Sequence, residues 1–311
     1  MKITKGKQQR AQRVVLYGVE SVGKSTFAAQ FPNPLFLDIE QGTSHLNVDR
    51  CDIGSWKQLT ESLVEAKATD YQTIVIDSAD WAERLCVEDL LASSKKTSIE
   101  DFGFGKGLVM VAERMSRMLA SIDTLIEAGK NVVLIAHSKI VRFEAPDALA
   151  AYDRYELKLS KQSSPLLKEF ADELWFLRFK TKVSTSETGK GKGIGGKERI
   201  LLTTHSAAYD AKTRSGLAEE LPLEWASVSH LFPIAKAAPE PAPVVCKIED
   251  WTIEVAKHGE AATAFLRAKE QIKADQDWTE ASDRVLERIR QDVPKFLATV
   301  AAFDLLTPEA K

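Results

Sequence analysis

Short apolar runs alternate with amphipathic stretches through the first half of the chain. Four runs have the composition of strands buried on both faces: residues 14–17, 35–37, 73–76 and 132–135. Four stretches with apolar residues at three-to-four spacing predict helices: residues 24–31, 55–68, 79–92 and 108–128. This alternation predicts an α/β fold with a mostly parallel central sheet covered by helices.

The pattern changes after residue 137. Residues 138–164 are polar, with one short predicted strand over 155–159, and a stretch of this length inside a domain is usually functional or mobile. Two runs suited to pairing, 173–183 and 198–204, then predict a hairpin. The tip of this hairpin is rich in lysine and glycine, which is typical of a flexible segment.

A proline-rich stretch, AKAAPEPAPVV at residues 235–245, predicts a semi-rigid linker and therefore a domain boundary. Beyond it, helical spacing continues to the end of the chain. Helices are predicted over residues 248–257, 260–274 and 280–303. We therefore expect a small C-terminal helical domain over residues 246–311.

The strongest chemical signal is GVESVGKS at residues 18–25, which matches the phosphate-loop pattern G-x-x-x-x-G-K-[ST]. It stands after a predicted buried strand and before a predicted helix, as that function requires. The backbone of such a loop binds phosphate oxygens, its lysine reaches the β- and γ-phosphates, and its hydroxyl binds Mg²⁺. The predicted ATP-binding residues are Gly18, Val19, Glu20, Ser21, Val22, Gly23, Lys24, Ser25 and Thr26. Lys24 is also a predicted catalytic residue, and Ser25 a predicted Mg²⁺ ligand.

Polar residues that follow other predicted strands complete a candidate catalytic site. Asp77 ends TIVID and is predicted to hold Mg²⁺ from the strand next to the phosphate loop; the alternative is a helix N-cap. Glu40 is predicted to orient the attacking water, with Asp38 the second choice and a solvated loop carboxylate the alternative. His137 is predicted to sense the γ-phosphate, and the alternative is a structural histidine.

Charge and cysteine content restrict the class of protein. The 311 residues include 42 Lys+Arg and 45 Asp+Glu, a formal net charge of −3, which excludes a surface that is cationic throughout. Ten basic and 13 acidic residues follow residue 245, so the deficit lies in the predicted helical domain. The three cysteines are scattered, which argues against disulfides and zinc and favours a reducing compartment. No apolar run approaches the ~20 residues that span a bilayer, so we expect a cytoplasmic protein and no membrane partner.

The motifs together resemble those of the RecA-like recombinase ATPases. GVESVGKS resembles the RecA phosphate loop, LFLDIE the strand with its catalytic glutamate, and IVIDS its second Walker strand. His137 stands where RecA has a glutamine switch residue. YDAKTRSGL at residues 209–217 resembles the motif that reaches the neighbouring subunit's nucleotide. The resemblance therefore implies trans-acting roles for Lys212 and Arg214 and a homo-oligomer, either a ring or a filament.

A closer resemblance covers residues 10–235. IEDFGFGKG, AYDRYELKL, the lysine- and glycine-rich hairpin and YDAKTRSGL are similar to phage-encoded ATP-binding proteins with a minimal RecA core, several of which are regarded as single-strand annealing proteins. This implies ATP and Mg²⁺ as cofactors, single-stranded DNA as a partner and the host cytoplasm as location. The counterparts of the RecA DNA-channel loops are residues 94–107 and 138–164. They hold rings and cations suited to stacking and phosphate attraction: Lys95, Lys96, Phe102, Phe104, Lys106, Lys139 and Arg142. The alternative is that these loops pack on the ATP site or on a neighbouring subunit.

We therefore expect a basic N-terminal arm over residues 1–13 and a RecA-like P-loop NTPase core over residues 14–234. The expected function is ATP-switched binding of single-stranded DNA and its annealing or strand exchange by an oligomer, with DNA-stimulated hydrolysis. One alternative is a DNA motor, helicase-like ring or packaging ATPase. Another is a P-loop small-molecule kinase, although no arginine-bearing lid is evident. A third is an interaction protein whose acidic helical tail recruits a partner. For the expected function, the candidate partner of the C-terminal domain is a single-strand-binding protein or another replication or recombination protein.

Overall fold

The computed structural model describes residues 5–6, 10–144, 150–185, 191–233, 255, 257–273 and 275–306. The chain divides into two compact units, Met1–Ala235 and Lys236–Lys311. The linker predicted over residues 235–245 and most of the helix predicted over 248–257 lie outside the described residues.

The larger unit is built on a sheet whose central strands are parallel. These strands are β1 (Arg13–Gly18), β2 (Pro34–Asp38), β3 (Asp49–Asp52), β4 (Thr73–Asp77), β5 (Asn131–Phe143) and β7 (Glu173–Thr185). Four more strands pair antiparallel at the margins: β6 (Tyr152–Leu157), β8 (Gly191–Leu202), β9 (Lys212–Thr213) and β10 (Glu220–Pro222). The main path through the sheet is β10-β8-β7-β1-β5-β4-β2-β3. The predicted mostly parallel α/β fold is confirmed.

Helices cover both faces of this sheet because successive side chains of a strand point to opposite sides. The helices are α1 (Lys24–Ala28), α2 (Trp56–Glu65), α3 (Ala79–Ser94), α4 (Lys106–Glu127) and α5 (Ser163–Phe170). Val15 and Tyr17 of β1 pack in one core with α2 to α5. Val14 and Leu16 pack in a second core with Phe27 of α1. All four β1 side chains are fully buried, so the strand that leads into the phosphate loop is held from both sides.

The prediction that residues 138–164 are irregular apart from one short strand is wrong, although the strand predicted over 155–159 overlaps β6. Instead of a largely irregular stretch, β5 continues to Phe143 and pairs antiparallel with β6, and α5 begins at Ser163. Charged residues interrupt both arms of this β5–β6 hairpin, KIVRF and YDRYEL, so neither arm shows a continuous apolar run or a strict alternation of apolar and polar residues. Its tip, residues 145–149, lies outside the described part of the chain.

Other elements follow the sequence pattern with smaller differences. The hairpin predicted from residues 173–183 and 198–204 is present as β7 and β8, and residues 186–190 at its tip are not described. β3 was not predicted because DRCD carries little apolar character. The helix predicted over residues 24–31 ends earlier, at Ala28.

The predicted basic arm makes ion pairs in its described part, residues 5–6 and 10–13. Arg10 Nη2 lies 2.7 Å from Asp172 Oδ1. Arg13 already belongs to β1, and its Nη2 lies 2.6 Å from Asp123 Oδ1. These two cations therefore have partners within their own chain.

The described part of the smaller unit is helical, with α6 (Gly259–Ala268), α7 (Asp283–Gln291) and α8 (Val293–Leu306). The helix predicted over residues 280–303 is interrupted between α7 and α8. Pro294 explains the break, because proline has no N–H to donate and is tolerated in the first turn of a helix. Leu266, Ile289 and Val293 share the core of this unit. No helix within the described ranges is long and apolar enough to cross a membrane.

Candidate active site

The phosphate loop leaves the sheet between two parallel strands. Gly18, the last residue of β1, pairs with His137 of β5 on one side and with Leu177 of β7 on the other. A Cβ at residue 18 would lie 2.1 Å from the carbonyl oxygen of Leu177, so a larger residue requires the strands to separate. Gly23 closes the loop with φ of 96°, in the left-handed region that favours glycine. Both motif glycines are therefore required by the backbone.

We expect Gly18→Ala to lower the free energy of unfolding by about 2 kcal/mol or more, because the new methyl group overlaps a backbone carbonyl. Thermal unfolding followed by circular dichroism measures the change. Gly42→Ala is the matched control, since a Cβ there meets nothing within 4 Å. Equal melting temperatures for the two variants would contradict the close approach of β1 and β7.

Lys24 is the first residue of α1, and its side chain folds back over the loop. Its Nζ donates to the carbonyl oxygens of Gly18 at 3.3 Å and Val19 at 3.1 Å. Only 7% of the residue is exposed, and burial lowers the pKa of Lys24 against the opposing charge of Asp77 and other carboxylates. Within the described chain its hydrogen-bond acceptors are these two neutral carbonyls. Exchanging them for an anionic oxygen is favourable, because an ammonium binds a charged acceptor more strongly than a neutral one.

Ser25 and Asp77 form a direct pair: the serine Oγ donates to Asp77 Oδ2 at 2.6 Å. The prediction that Asp77 lies on the strand next to the phosphate-loop strand is wrong, because β5 stands between β1 and β4. Helix α1 packs against β5 and so brings the hydroxyl across. Burial raises the pKa of Asp77 to about 6, while the hydrogen bond from Ser25 acts in the opposite direction. A hydroxyl and a carboxylate in contact supply the hard oxygen ligands that Mg²⁺ prefers.

Asp38 and Glu40 lie in different surroundings although they are two residues apart. Asp38 is 1% exposed and accepts hydrogen bonds from the N–H of Gly42 at 3.2 Å and of Thr43 at 3.1 Å, and from the Thr43 hydroxyl. Its oxygens hold the loop after β2 closed. The Glu40 side chain is 34% exposed and has no such backbone donors in the described structure. Of the two, Glu40 is the carboxylate that is open to a substrate.

His137 stands between two carboxylates. Its Nδ1 lies 2.9 Å from Asp80 Oδ2, its backbone N–H donates to Asp80 Oδ1 at 3.0 Å, and its Nε2 lies 3.9 Å from Glu40 Oε1. The hydrogen bond with Asp80 raises the pKa of His137, against the effect of burial. Sequence reasoning missed Asp80, because an acidic residue in the first turn of a helix is ordinary. Its three-residue spacing from Asp77 is the one sequence signal that points to it.

The β5–β6 hairpin begins at the residue after His137 and extends beyond the carboxyl ends of the parallel strands. Two of the predicted DNA-binding residues lie on it. Lys139 Nζ donates to the carbonyl oxygen of Leu159 at 2.6 Å, so it is held at the base of the hairpin. Arg142 lies 3.8 Å from Asp153, and both side chains are about two-thirds exposed. Arg142 is therefore the more accessible cation.

The predicted DNA-binding segment between α3 and α4 presents one free ring. Phe102 packs against the main core, and Lys96 Nζ lies 4.9 Å above its centroid while donating to the carbonyl oxygen of Asp101 at 2.7 Å. Phe104 is fully exposed, at 103% of its reference area, between two glycines with φ of 70°. Lys95 and Lys106 are exposed on either side of the segment.

The predicted trans-acting residues lie far from the phosphate loop of their own chain. β9, which contains Lys212, pairs with Glu173 and Leu174 at the start of β7, next to the amino end of β1. The phosphate loop follows the opposite end of β1. Lys212 and Arg214 therefore stand at the other edge of the sheet.

Both cations have partners there. Lys212 Nζ donates to the carbonyl oxygens of Lys168 at 2.7 Å and Glu169 at 3.3 Å, at the C-terminal end of α5. Burial lowers the pKa of Lys212. Arg214 Nη1 lies 3.0 Å from Asp172 Oδ1, and 57% of its side chain is exposed. Arg214 is thus the more accessible of the two.

Asp210 joins this segment to the β5–β6 hairpin. Its carboxylate lies 2.5 Å from Arg154 Nη2 and 2.6 Å from Lys168 Nζ, and its carbonyl accepts a hydrogen bond from the Tyr17 hydroxyl. Burial on its own would raise the pKa of Asp210, but the two cations outweigh that effect and lower it.

We expect Asp210→Asn to reduce the free energy of unfolding by about 2–3 kcal/mol near neutral pH, because the largely buried Arg154 loses its counter-charge. Since the folded-state pKa is lowered, this stabilisation is present above the unfolded-state pKa of about 3.9 and disappears as the pH falls through the folded-state value. Urea unfolding at about pH 7 and about pH 3 measures it. Asp153→Asn, which removes an exposed pair, should have little effect. A deficit of Asp210→Asn that persists unchanged at low pH would count against the ion pairs.

Comparison with known proteins identifies a family and chains that are similar to this one. Residues 10–215 match the family model described as AAA domain. The SPbeta prophage-derived uncharacterized protein YorG of Bacillus subtilis (strain 168) is 30% identical over 137 residues, which span 40% of this chain and 40% of that protein. The structure of the KaiC-like protein PH0186 from Pyrococcus horikoshii OT3 is similar over 68% of this chain and 85% of that one, with 15% identity and a TM-score of 0.39. The family match includes every candidate residue from Gly18 to Arg214.

Proposed function

This chain belongs to the AAA domain family and has a P-loop NTPase core, and on that premise we propose that it binds and hydrolyses Mg-ATP as the switch of a DNA-binding oligomer. The observation that carries the ATPase part is the 2.6 Å contact between Ser25 and Asp77. It brings a hydroxyl and a carboxylate together near the buried ammonium of Lys24. The groups that would bind the metal and the group that would bind the phosphates therefore belong to one site.

The residues present fit Mg-ATP. Lys24 has only neutral carbonyl acceptors in the described chain and would transfer its hydrogen bonds to phosphate oxygens. Ser25 and Asp77 would hold Mg²⁺, which when bound neutralises charge on the phosphate oxygens. The N–H groups of the phosphate loop bind further oxygens.

Glu40 is the proposed base, which orients the attacking water and accepts its proton. His137 is held by Asp80 and lies 3.9 Å from Glu40, so a displacement of either carboxylate acts on the imidazole. Ser138, the residue after His137, is the first paired residue of the β5–β6 hairpin. We infer that a movement of His137 on nucleotide binding or hydrolysis shifts this hairpin.

The second part of the proposal is single-stranded DNA binding, with annealing or strand exchange as its outcome. Its support is Phe104, a fully exposed ring with Lys95 and Lys106 exposed nearby, together with Arg142 on the hairpin. Bases stack on such rings while cations attract the phosphates. A single-strand-binding protein is the proposed partner of the smaller, helical unit.

Assembly into a homo-oligomer is proposed from the position of Lys212 and Arg214. They stand at the opposite edge of the sheet from their own phosphate loop, so any nucleotide they contact belongs to another copy of the chain. Arg214 is exposed enough to reach a neighbour, whereas Lys212 would first release the α5 carbonyls.

We expect Phe104→Ala to weaken binding of labelled oligothymidine about tenfold at low salt, because stacking on one ring contributes about 1–3 kcal/mol per base. Fluorescence anisotropy with Mg-ATP present measures the affinity. Val109→Ala is the control, since Val109 is also an exposed apolar residue, 49% accessible, close by on α4. Equal affinities for wild type and Phe104→Ala would remove the ring from the DNA site.

The same preparation separates the alternatives. ATP turnover that rises with single-stranded DNA supports the proposal. A DNA motor would in addition displace a complementary strand, and a small-molecule kinase would turn over without DNA. Wild-type protein that retains no oligothymidine with or without ATP refutes the DNA part and leaves the ATPase part standing.

A further inference from the structure

Arg199 of β8 lies against the phosphate loop, 177 residues from its hydrogen-bond partner in sequence. Its Nη1 donates to the carbonyl oxygen of Val22 at 3.3 Å. A Cβ placed on Gly23 would lie 2.6 Å from the same nitrogen. The guanidinium thus touches the backbone immediately before α1, and no motif in the sequence points to it.

The groups suited to γ-phosphate chemistry lie on the other side of the loop. Glu40 follows β2, Asp77 ends β4, and His137 lies on β5. All three strands lie to one side of β1 in the sheet, whereas β7 and β8 lie to the other. A nucleotide with its γ-phosphate near Glu40 therefore directs its nucleoside away from these strands, toward the side of the sheet where Arg199 stands.

Arg199 has no carboxylate partner among the described residues. Two acidic side chains on β8 and β10, Glu198 and Glu220, pair with Lys180 of β7 at 3.4 and 2.7 Å. Arg199 itself is exposed, and its described side-chain contact is the neutral Val22 carbonyl. A guanidinium is planar and permanently charged, so a face left open to solvent can stack on an aromatic ring.

We propose that Arg199 binds the nucleoside half of the nucleotide by stacking its guanidinium on the purine base. This inference rests on the proposed function, since a nucleotide must first occupy the phosphate loop. Arg199 then contributes to nucleotide affinity and has no part in the chemical step. Binding of the triphosphate moiety alone should not depend on it.

Calorimetric titration of the full chain with Mg-ATP and, separately, with magnesium tripolyphosphate tests this. Arg199→Ala should weaken Mg-ATP binding about tenfold and leave tripolyphosphate binding unchanged. Arg199→Lys keeps the charge without the planar group and should remain weak for Mg-ATP. Arg117→Ala, which removes an exposed arginine on α4, is the control and should match wild type for both ligands. In turnover assays KM should rise in Arg199→Ala while kcat holds.

Three results would overturn the inference. Equal losses of Mg-ATP and tripolyphosphate binding in Arg199→Ala mean that Arg199 supports the loop or the phosphates and does not contact the base. Unchanged binding of both ligands means that it has no role in the site. Full recovery by Arg199→Lys means that charge alone matters. Wild-type protein that binds neither ligand refutes the proposed nucleotide function itself, which is a distinct outcome.

Discussion

Lys24→Ala should weaken Mg-ATP binding by about 100-fold or more, because the phosphates lose a cation that no other described residue replaces. The side chain is buried, and among the described residues its hydrogen-bond acceptors are the carbonyls of Gly18 and Val19, so its charge is available to an anion. Titration with a fluorescent ATP analogue measures the loss.

The same substitution should leave folding intact. Burial lowers the pKa of Lys24, which means that the folded chain carries an energetic cost for this ammonium. Removing it should keep the melting temperature of the nucleotide-free protein or raise it. Lys95→Ala is the control for the loss of one positive charge, because Lys95 is exposed and lies outside the phosphate loop. It should bind Mg-ATP as wild type does. Retention of ATP affinity within a few-fold in Lys24→Ala would refute the site.

Glu40→Gln should reduce kcat about 10²- to 10⁴-fold and keep Mg-ATP binding nearly unchanged, because the amide preserves shape but accepts no proton. Single-turnover hydrolysis together with equilibrium binding separates the two effects. The expectation follows from the open oxygens of Glu40 beside His137.

Asp38→Asn provides the contrast for this variant. Asp38 accepts hydrogen bonds from Gly42 and Thr43 in a buried position, so its loss should lower the melting temperature as well as turnover. If Glu40→Gln hydrolyses ATP at the wild-type rate while Asp38→Asn stays folded and does not, the base is Asp38.

Local sequence patterns were sufficient to predict the phosphate loop and its place between a strand and a helix. The apolar run before it predicts a buried strand, the motif needs two glycines and a lysine at set spacing, and the backbone requires both glycines. The same holds for the alternation of strands and helices, since burial on both faces of a parallel sheet leaves continuous apolar runs. These features depend on residues that are neighbours in sequence.

The order of the strands in the sheet and the surroundings of each carboxylate could not be predicted from local sequence patterns. The pattern does not show that β5 separates β1 from β4, and thus that Ser25 reaches Asp77 across an intervening strand. Nor does it distinguish the enclosed Asp38 from the open Glu40. The β5–β6 hairpin was missed because charges interrupt its apolar alternation, although pairing across the two strands satisfies its backbone.

The chain's sequence by itself determined an α/β P-loop protein with a lysine, a serine and several acidic residues suited to Mg-ATP. The tertiary structure alone decided which groups meet at the phosphate loop. The Ser25 hydroxyl contacts Asp77, 52 residues away, and the Val22 carbonyl accepts from Arg199, 177 residues away. It also decided that Lys212 and Arg214 stand at the opposite edge of the sheet from their own phosphate loop. The physical reason is that local pattern governs burial and backbone conformation, whereas contacts between distant residues depend on how strands are ordered and paired in the sheet.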